Sequence, residues 1–251
     1  MRLGIVTYQI AAKWDLDTII ERCRATGFEG VELRTTHAHG VEVELSAAER
    51  AEVKKRFEDS GIEIAGLGSA FEYHSTDPAE VRRNIEGTKE YVKLAHDVGA
   101  PGVKVRPNGL PDSVPVEKTL EQIGLAVREC AAFAADYGVQ IRVEVHGRGT
   151  SLLPHMKRIM EHAAHPNAYV CWNSNDADIV NGKIDETFTM VADKIGLVHI
   201  NELYRDYPYR DLFRLLHHSG YDGFCLAEIP ESAEPDRLMR YYRALFLALQ
   251  L

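Results

Sequence analysis

The sequence predicts an α/β protein whose fold is a closed (β/α)8 TIM barrel. Three observations lead there. Strand-like and helix-like segments alternate from one end of the 251-residue chain to the other. Each helical segment is long enough to return the chain to a parallel neighbour. Eight such units match the usual size of a barrel, about 250 residues in one domain. No linker, low-complexity tract or change of composition divides them, so one domain over residues 1–251 is expected, with an open doubly wound sheet as the weaker alternative.

The units follow in order. RLGIVTY (2–8) reads as the first strand. LDTIIERCRATG (16–27) has apolar residues at helical spacing and stops at a glycine. FEGVELR (28–34) is the second strand. The helix over 46–61 opens with Ser46 as N-cap and Glu49 three residues later, a capping box, and ends at Gly61. IEIAGL (62–67) leads to a helix over 77–99 that starts at Asp77 with Pro78 in its first turn. GVKVR (102–106), VQIRVEVH (139–146), AYVCWN (168–173), GLVHIN (196–201) and FCLAEI (224–229) are the remaining strands. Helices over 116–138, 154–164, 184–194, 209–220 and 235–250 follow them in turn.

Composition narrows the function. The net charge of −9 argues against a general nucleic-acid or anionic-membrane partner, because such surfaces need concentrated Lys and Arg. Cys23, Cys130, Cys171 and Cys225 form no C-x-x-C pair and lie in apolar or helical stretches. Buried free thiols in a reducing compartment follow. With no membrane-length apolar run and no leader-like N-terminus, the expected location is the cytoplasm. The apolar C-terminal helix (YYRALFLALQL) is a candidate for a homo-oligomer contact.

The strands themselves are unusual. A parallel strand covered on both faces reads as a nearly continuous apolar run, yet several here alternate. Ile141, Val143 and Val145 oppose Gln140, Arg142, Glu144 and His146; Val103 and Val105 oppose Lys104 and Arg106; Val31 and Leu33 oppose Glu32 and Arg34. Val198 and Ile200 likewise oppose His199 and Asn201. In a barrel the apolar face meets the helices and the polar face turns to the axis, where charges must be paired or bind something. An ion-pair lattice accounts for Arg142 and in part for Glu32 and Arg34.

The last inward residues of the strands fit a lattice less well, because they sit at the C-terminal rim where barrel enzymes keep their chemistry. Strands five to eight present Glu144, Asn173, His199 and Glu228 there. Two carboxylates, an amide oxygen and an imidazole form a donor set for a divalent metal, Mn2+ foremost, with Mg2+, Co2+ or Zn2+ as alternatives. Rim residues expected to contact a substrate are His37, Glu72, His74, Lys104 and His146. Tyr8 and Trp14 are placed either as an apolar wall for a sugar ring or in the core.

The segments VELRTTHAHG, VKVRPNG, VEVHG, CWNSN, VHINEL and LAEIP, in this order and spacing, resemble the xylose isomerase-like TIM-barrel superfamily of sugar isomerases, epimerases and dehydratases. The resemblance spans essentially the whole chain. It implies a metal held by Glu144, Asn173, His199 and Glu228, with Glu144 and Glu228 also acting as the catalytic acid/base pair. It further implies that Arg205 contacts substrate. The family usually has Asp at the strand-six position, often in Asp-x-x-His; here Asn173 takes that place and Asp176 stands where the His would be. Asn173 as ligand, Asp176 as ligand or substrate contact, and a decayed site are the three readings.

The expected activity is a metal-dependent isomerase or epimerase acting on a small sugar or keto-sugar through an enediolate. The alternatives are a lyase or dehydratase of a keto-sugar or keto-inositol and a non-catalytic sugar-binding barrel.

Overall fold

The computed structural model describes residues 1–251. Its strands are β1 (Arg2–Val6), β2 (Gly30–Arg34), β3 (Glu63–Glu72), β4 (Gly102–Arg106), β5 (Gln140–Glu144), β6 (Ala168–Asn173), β7 (Ile195–Ile200) and β8 (Phe224–Ala227). The helices are α1 (Leu16–Thr26), α2 (Ala47–Ser60), α3 (Pro78–Val98), α4 (Val116–Ala135), α5 (Leu153–Ala163), α6 (Asp185–Thr189), α7 (Tyr209–His218) and α8 (Pro235–Leu249). The strands form a closed barrel in sequence order, all parallel, with β8 pairing back to β1. The predicted barrel is the fold found.

Local chemistry sets the ends of the first helices. The Asp15 side chain accepts from the Thr18 N–H at the start of α1, and Gly27 closes that helix at φ 75°, a conformation cheap only for glycine. Both halves of the Ser46/Glu49 capping box are present at α2, and Asp77 with Pro78 opens α3.

Five elements differ from the sequence reading. β3 runs on to Glu72, five residues past its expected end at Leu67; a register shift between Gly68 and Glu72 absorbs these residues, and Ser69 Oγ donates to the Lys104 carbonyl. The helix expected over 184–194 divides into α6 and a 3-10 turn at Ala192–Lys194. The hydroxyls of Thr187 and Thr189 bond back to backbone carbonyls there, which competes with a longer helix. β1, β5 and β8 stop two residues short of the expected ends, so Tyr8, His146 and Glu228 lie just past their strands.

The main core fills the space between strands and helices, with Ile5, Val31, Val103, Val143, Trp172 and Val198 all fully buried in it. A second small cluster lies inside the barrel: Val6, Ala65, Cys171, Leu197, Phe224 and Leu226. Because alternate residues share a face, Cys171 and Leu197 are followed on the same side by Asn173 and His199. The polar layer therefore lies one step nearer the C-terminal rim than this apolar plug. All four cysteines are free and buried. No helix is long and apolar enough to cross a membrane.

Arg142 departs from the expected lattice. It is buried but joins no ion pair: Nη1 donates to the Ala65 carbonyl and Nε to Gln140 Oε1. The inward carboxylates of Glu32 and Glu144 are already engaged, both by Lys104 and Glu32 also by His199 Nε2. Arg34, too, has no carboxylate partner; its guanidinium lies 5.3 Å from the Tyr8 ring centroid.

Candidate metal centre

Four consecutive strands deliver the cluster. Glu144 ends β5, Asn173 ends β6, His199 is the penultimate residue of β7, and Glu228 follows β8 with its N–H still donating to the Ile200 carbonyl. Asn173 and His199 are register partners across the β6–β7 pair. The His199 Nδ1 lies 3.5 Å from Glu144 Oε1 and 3.7 Å from Glu228 Oε2. One donor atom from each of these three residues falls within 4.8 Å of the others. The Asn173 amide is adjacent, with Nδ2 3.4 Å from Glu144 Oε1.

The surroundings are charged and dry. Lys104 Nζ lies 3.0 Å from Glu144 and 3.5 Å from Glu32, and Lys104, Glu32 and His199 are almost wholly withdrawn from solvent. Gly68 makes this possible on β3, since a Cβ there would lie 2.6 Å from Glu32 Oε1. Burial opposes ionisation of Glu144, but Lys104 and His199 outweigh it and hold the carboxyl well below its usual range. For Glu32 the same contest ends at about 2. Burial prevails at Glu228 and raises its pKa. The two cluster glutamates thus differ in proton affinity.

Whether these residues suit a cation is decided by His199. Its Nε2 bonds to Glu32 Oε2 at 3.2 Å, whereas its Nδ1 is buried with no hydrogen-bond partner and is aimed between the two glutamates. A metal-binding imidazole characteristically gives its second nitrogen to a carboxylate in this way. Leaving Nδ1 uncompensated is costly, and a cation there relieves it while neutralising Glu144 and Glu228. Glu144, His199 and Glu228 constitute a divalent-metal-binding site by donor type, spacing and burial.

A cavity of about 490 Å³ opens above the cluster. Of the residues expected to contact a substrate, Lys104, His146 and Arg205 line it. His37, Glu72, His74 and Asp176 do not. His37 bonds to Thr7 Oγ1 at 2.8 Å, and burial together with the Arg34 charge pushes it down to about 4. Glu72 acts one step removed: it holds Arg106 at 2.7 Å and accepts from Asn108, whose Oδ1 in turn accepts from His146 Nδ1 at 2.7 Å. His74 sits beside Glu72 at 3.8 Å. Asp176 is exposed, 3.6 Å from Arg205, outside the cluster. Tyr8 lines the cavity; Trp14 instead packs on the core beneath the Arg22 guanidinium.

Arg34, Arg106, Asn175 and Asn201 also line the cavity without having been assigned to it. For both arginines the signal was present, since each stands two residues past an inward charge, Glu32 or Lys104. Asn175 is placed by loop bonds to the Val145 and Asn173 carbonyls that no periodicity foretells. A larger hollow of about 670 Å³ lies at the opposite, N-terminal end of the barrel, beside Arg2, Glu63, Arg142 and Phe224. It contains no cluster residue, and barrel chemistry belongs to the other face.

Residues 20–245 match the family model described as xylose isomerase-like TIM barrel, and the chain belongs to that family. No curated protein matches it by sequence. Among solved structures, it is similar to D-psicose 3-epimerase from Clostridium cellulolyticum H10, determined with D-tagatose, at TM-score 0.83 and 16% identity over 100% of this chain and 99% of that one. It is similar to 3-keto-D-glucoside 4-epimerase from E. coli at TM-score 0.82 and 15% identity, with 99% of each chain covered. A probable 3-DHS dehydratase from Bacillus anthracis follows at TM-score 0.75 and 15% identity, covering 98% of this chain and 99% of that one. At these identities the likeness establishes the fold.

Proposed function

We propose that this xylose isomerase-like barrel is a divalent-metal-dependent isomerase or epimerase acting on a sugar or keto-sugar. The observation that carries the reading is the orphaned Nδ1 of His199 between two glutamates, at the floor of a polar cavity on the C-terminal rim. Epimerases of the same fold, one of them determined with D-tagatose, support the choice of reaction class.

Glu144, His199 and Glu228 would hold the metal, with Asn173 completing the set through its amide oxygen. This mixture of oxygen donors with one imidazole suits Mn2+. When bound, the metal supplies Lewis-acid polarisation of a substrate carbonyl and its neighbouring hydroxyl. The chain's own residues do the rest. Glu144, kept ionised by Lys104 at 3.0 Å, takes the carbon-bound proton. Glu228, whose carboxyl holds a proton more readily, returns one from the other side. Return to the same carbon inverts it; return to the neighbour moves the carbonyl. Lys104 keeps positive charge beside the enediolate oxygens. Arg205 and His146 orient hydroxyls from the cavity wall. We place the protein in the cytoplasm, since its four cysteines are free and buried.

Incubating Mn2+-loaded protein with ketoses and keto-sugars in D2O tests the assignment. Deuterium gained at carbon with the skeleton intact is the expected result. Loss of water or of an aglycone would make it a lyase, and no exchange with any carbonyl sugar would remove the enzymatic reading.

A further inference from the structure

The cavity wall carries four cationic side chains, Arg34, Lys104, Arg106 and Arg205. Three have carboxylate partners: Lys104 has Glu144 and Glu32, Arg106 has Glu72, and Arg205 has Asp176. Arg34 has none. Only its backbone is engaged, the N–H donating to Thr7 Oγ1 and the carbonyl bonding to His39 Nε2, while its guanidinium rests near the Tyr8 ring. Besides the cluster glutamates, Glu202 is the one carboxylate on the wall, and its oxygen is taken by the Tyr204 hydroxyl at 3.0 Å on the exposed side. A half-buried guanidinium, steadied by an aromatic ring and left without a counter-ion, is a fork for a planar or tetrahedral anion.

Its position says which part of a ligand it meets. In a closed ring of eight strands β2 stands opposite β6. Arg34, at the end of β2, therefore faces the metal cluster from across the mouth, where the far end of a sugar-sized molecule would lie when its reacting carbon is at Glu144 and Glu228.

We infer that the substrate carries an anionic group, a carboxylate or a phosphate, remote from the reacting carbon and seated on Arg34. This rests on the proposed function, since the reacting end is the one assigned to the metal cluster. The substrate class is accordingly an acidic sugar derivative, with Arg34 as the residue that selects it over neutral sugars.

The test compares three unreactive probes that share one polyol frame, D-glucitol, D-gluconate and D-glucitol 6-phosphate, by calorimetric titration into full-length Mn2+-loaded protein. At least one charged probe is expected to bind about tenfold or more tightly than D-glucitol, the size of one charge-assisted pair, and whichever does so identifies carboxylate or phosphate. Arg34→Gln should abolish that advantage while D-glucitol binding and Mn2+ uptake stay as in the wild type. Equal binding of all three probes by the wild type, a comparison that needs no variant to fold, would overturn the inference. So would a charge advantage that survives Arg34→Gln, because the acid would then be seated on another cation of the site. Failure of the proposed function shows separately, as wild-type protein that takes up no Mn2+ or exchanges no deuterium.

Discussion

The Nε2 of His199 lies 3.2 Å from Oε2 of Glu32, with both side chains fully buried and their residues 167 positions apart in sequence. This bond, made across the barrel between β7 and β2, fixes which imidazole nitrogen faces the glutamate pair. Glu32 therefore positions the imidazole of the metal-binding site and is not one of the three clustered donors.

Replacing Glu32 by Gln should lower metal affinity by about 10–100-fold, the usual cost of losing such a partner, while the barrel still folds. Competition against a chelator of known affinity measures it. Unchanged affinity would show that His199 is held by its strand alone.

Lys104 has a structural role as well as an electrostatic one. Its ammonium lies between Glu144 and Glu32, both buried. Lys104→Met leaves two carboxylates without it, and the metal-free protein should lose about 3–5 kcal/mol of stability in urea unfolding. Mn2+ should recover more stability in the variant than in the wild type, because it replaces part of the missing positive charge. A loss below about 1 kcal/mol would mark the triad as a weakly coupled, surface-like pair.

Asn173→Asp separates affinity from stability. The amide lies 3.4 Å from Glu144, so a carboxylate there adds repulsion in the metal-free protein and a third negative ligand in the loaded one. The variant should bind Mn2+ more tightly and melt lower without it. Unchanged Mn2+ affinity with no metal-free penalty would place residue 173 outside the cluster.

Much of this centre was legible beforehand because a strand's period of two sorts side chains by face. That alternation identified Glu144, Asn173, His199 and Glu228 as inward rim residues, and the structure brings all four together. It does not say how high along the axis a long flexible side chain will reach. Arg142 and Arg34 were both read as inward, yet Arg142 turns to the Ala65 carbonyl near the barrel floor and Arg34 to Tyr8 at the mouth. Nor does it reach across loops. Glu72 governs Arg106 and, through Asn108, His146, by bonds between segments more than thirty residues apart.

Asp178 supplies a pH dependence of stability. It is fully buried in the 3-10 turn after β6, where Oδ2 accepts from the Tyr207 hydroxyl and the Asn175 N–H, each at 2.9 Å, and Oδ1 has no partner. Burial raises its pKa from 3.8 to about 7, against the opposing pull of those two donors. The folded state therefore holds this proton more tightly than the unfolded chain does. Its contribution is full below 3.8 and is lost as pH rises through about 7, a change of a few kcal/mol. Asp178→Asn should flatten that part of the profile in unfolding measurements across the range and make the protein more stable than wild type at mildly alkaline pH. An unaltered slope would show that the carboxylate is ionised in the folded state.

Anomalous diffraction from crystals grown with Mn2+ would reveal whether one cation sits against the Nδ1 of His199, which has no hydrogen-bond partner. A single strong anomalous peak bounded by Glu144, Asn173, His199 Nδ1 and Glu228 is expected. No peak at that position, with His199 Nδ1 hydrogen-bonded to a glutamate instead, would contradict it.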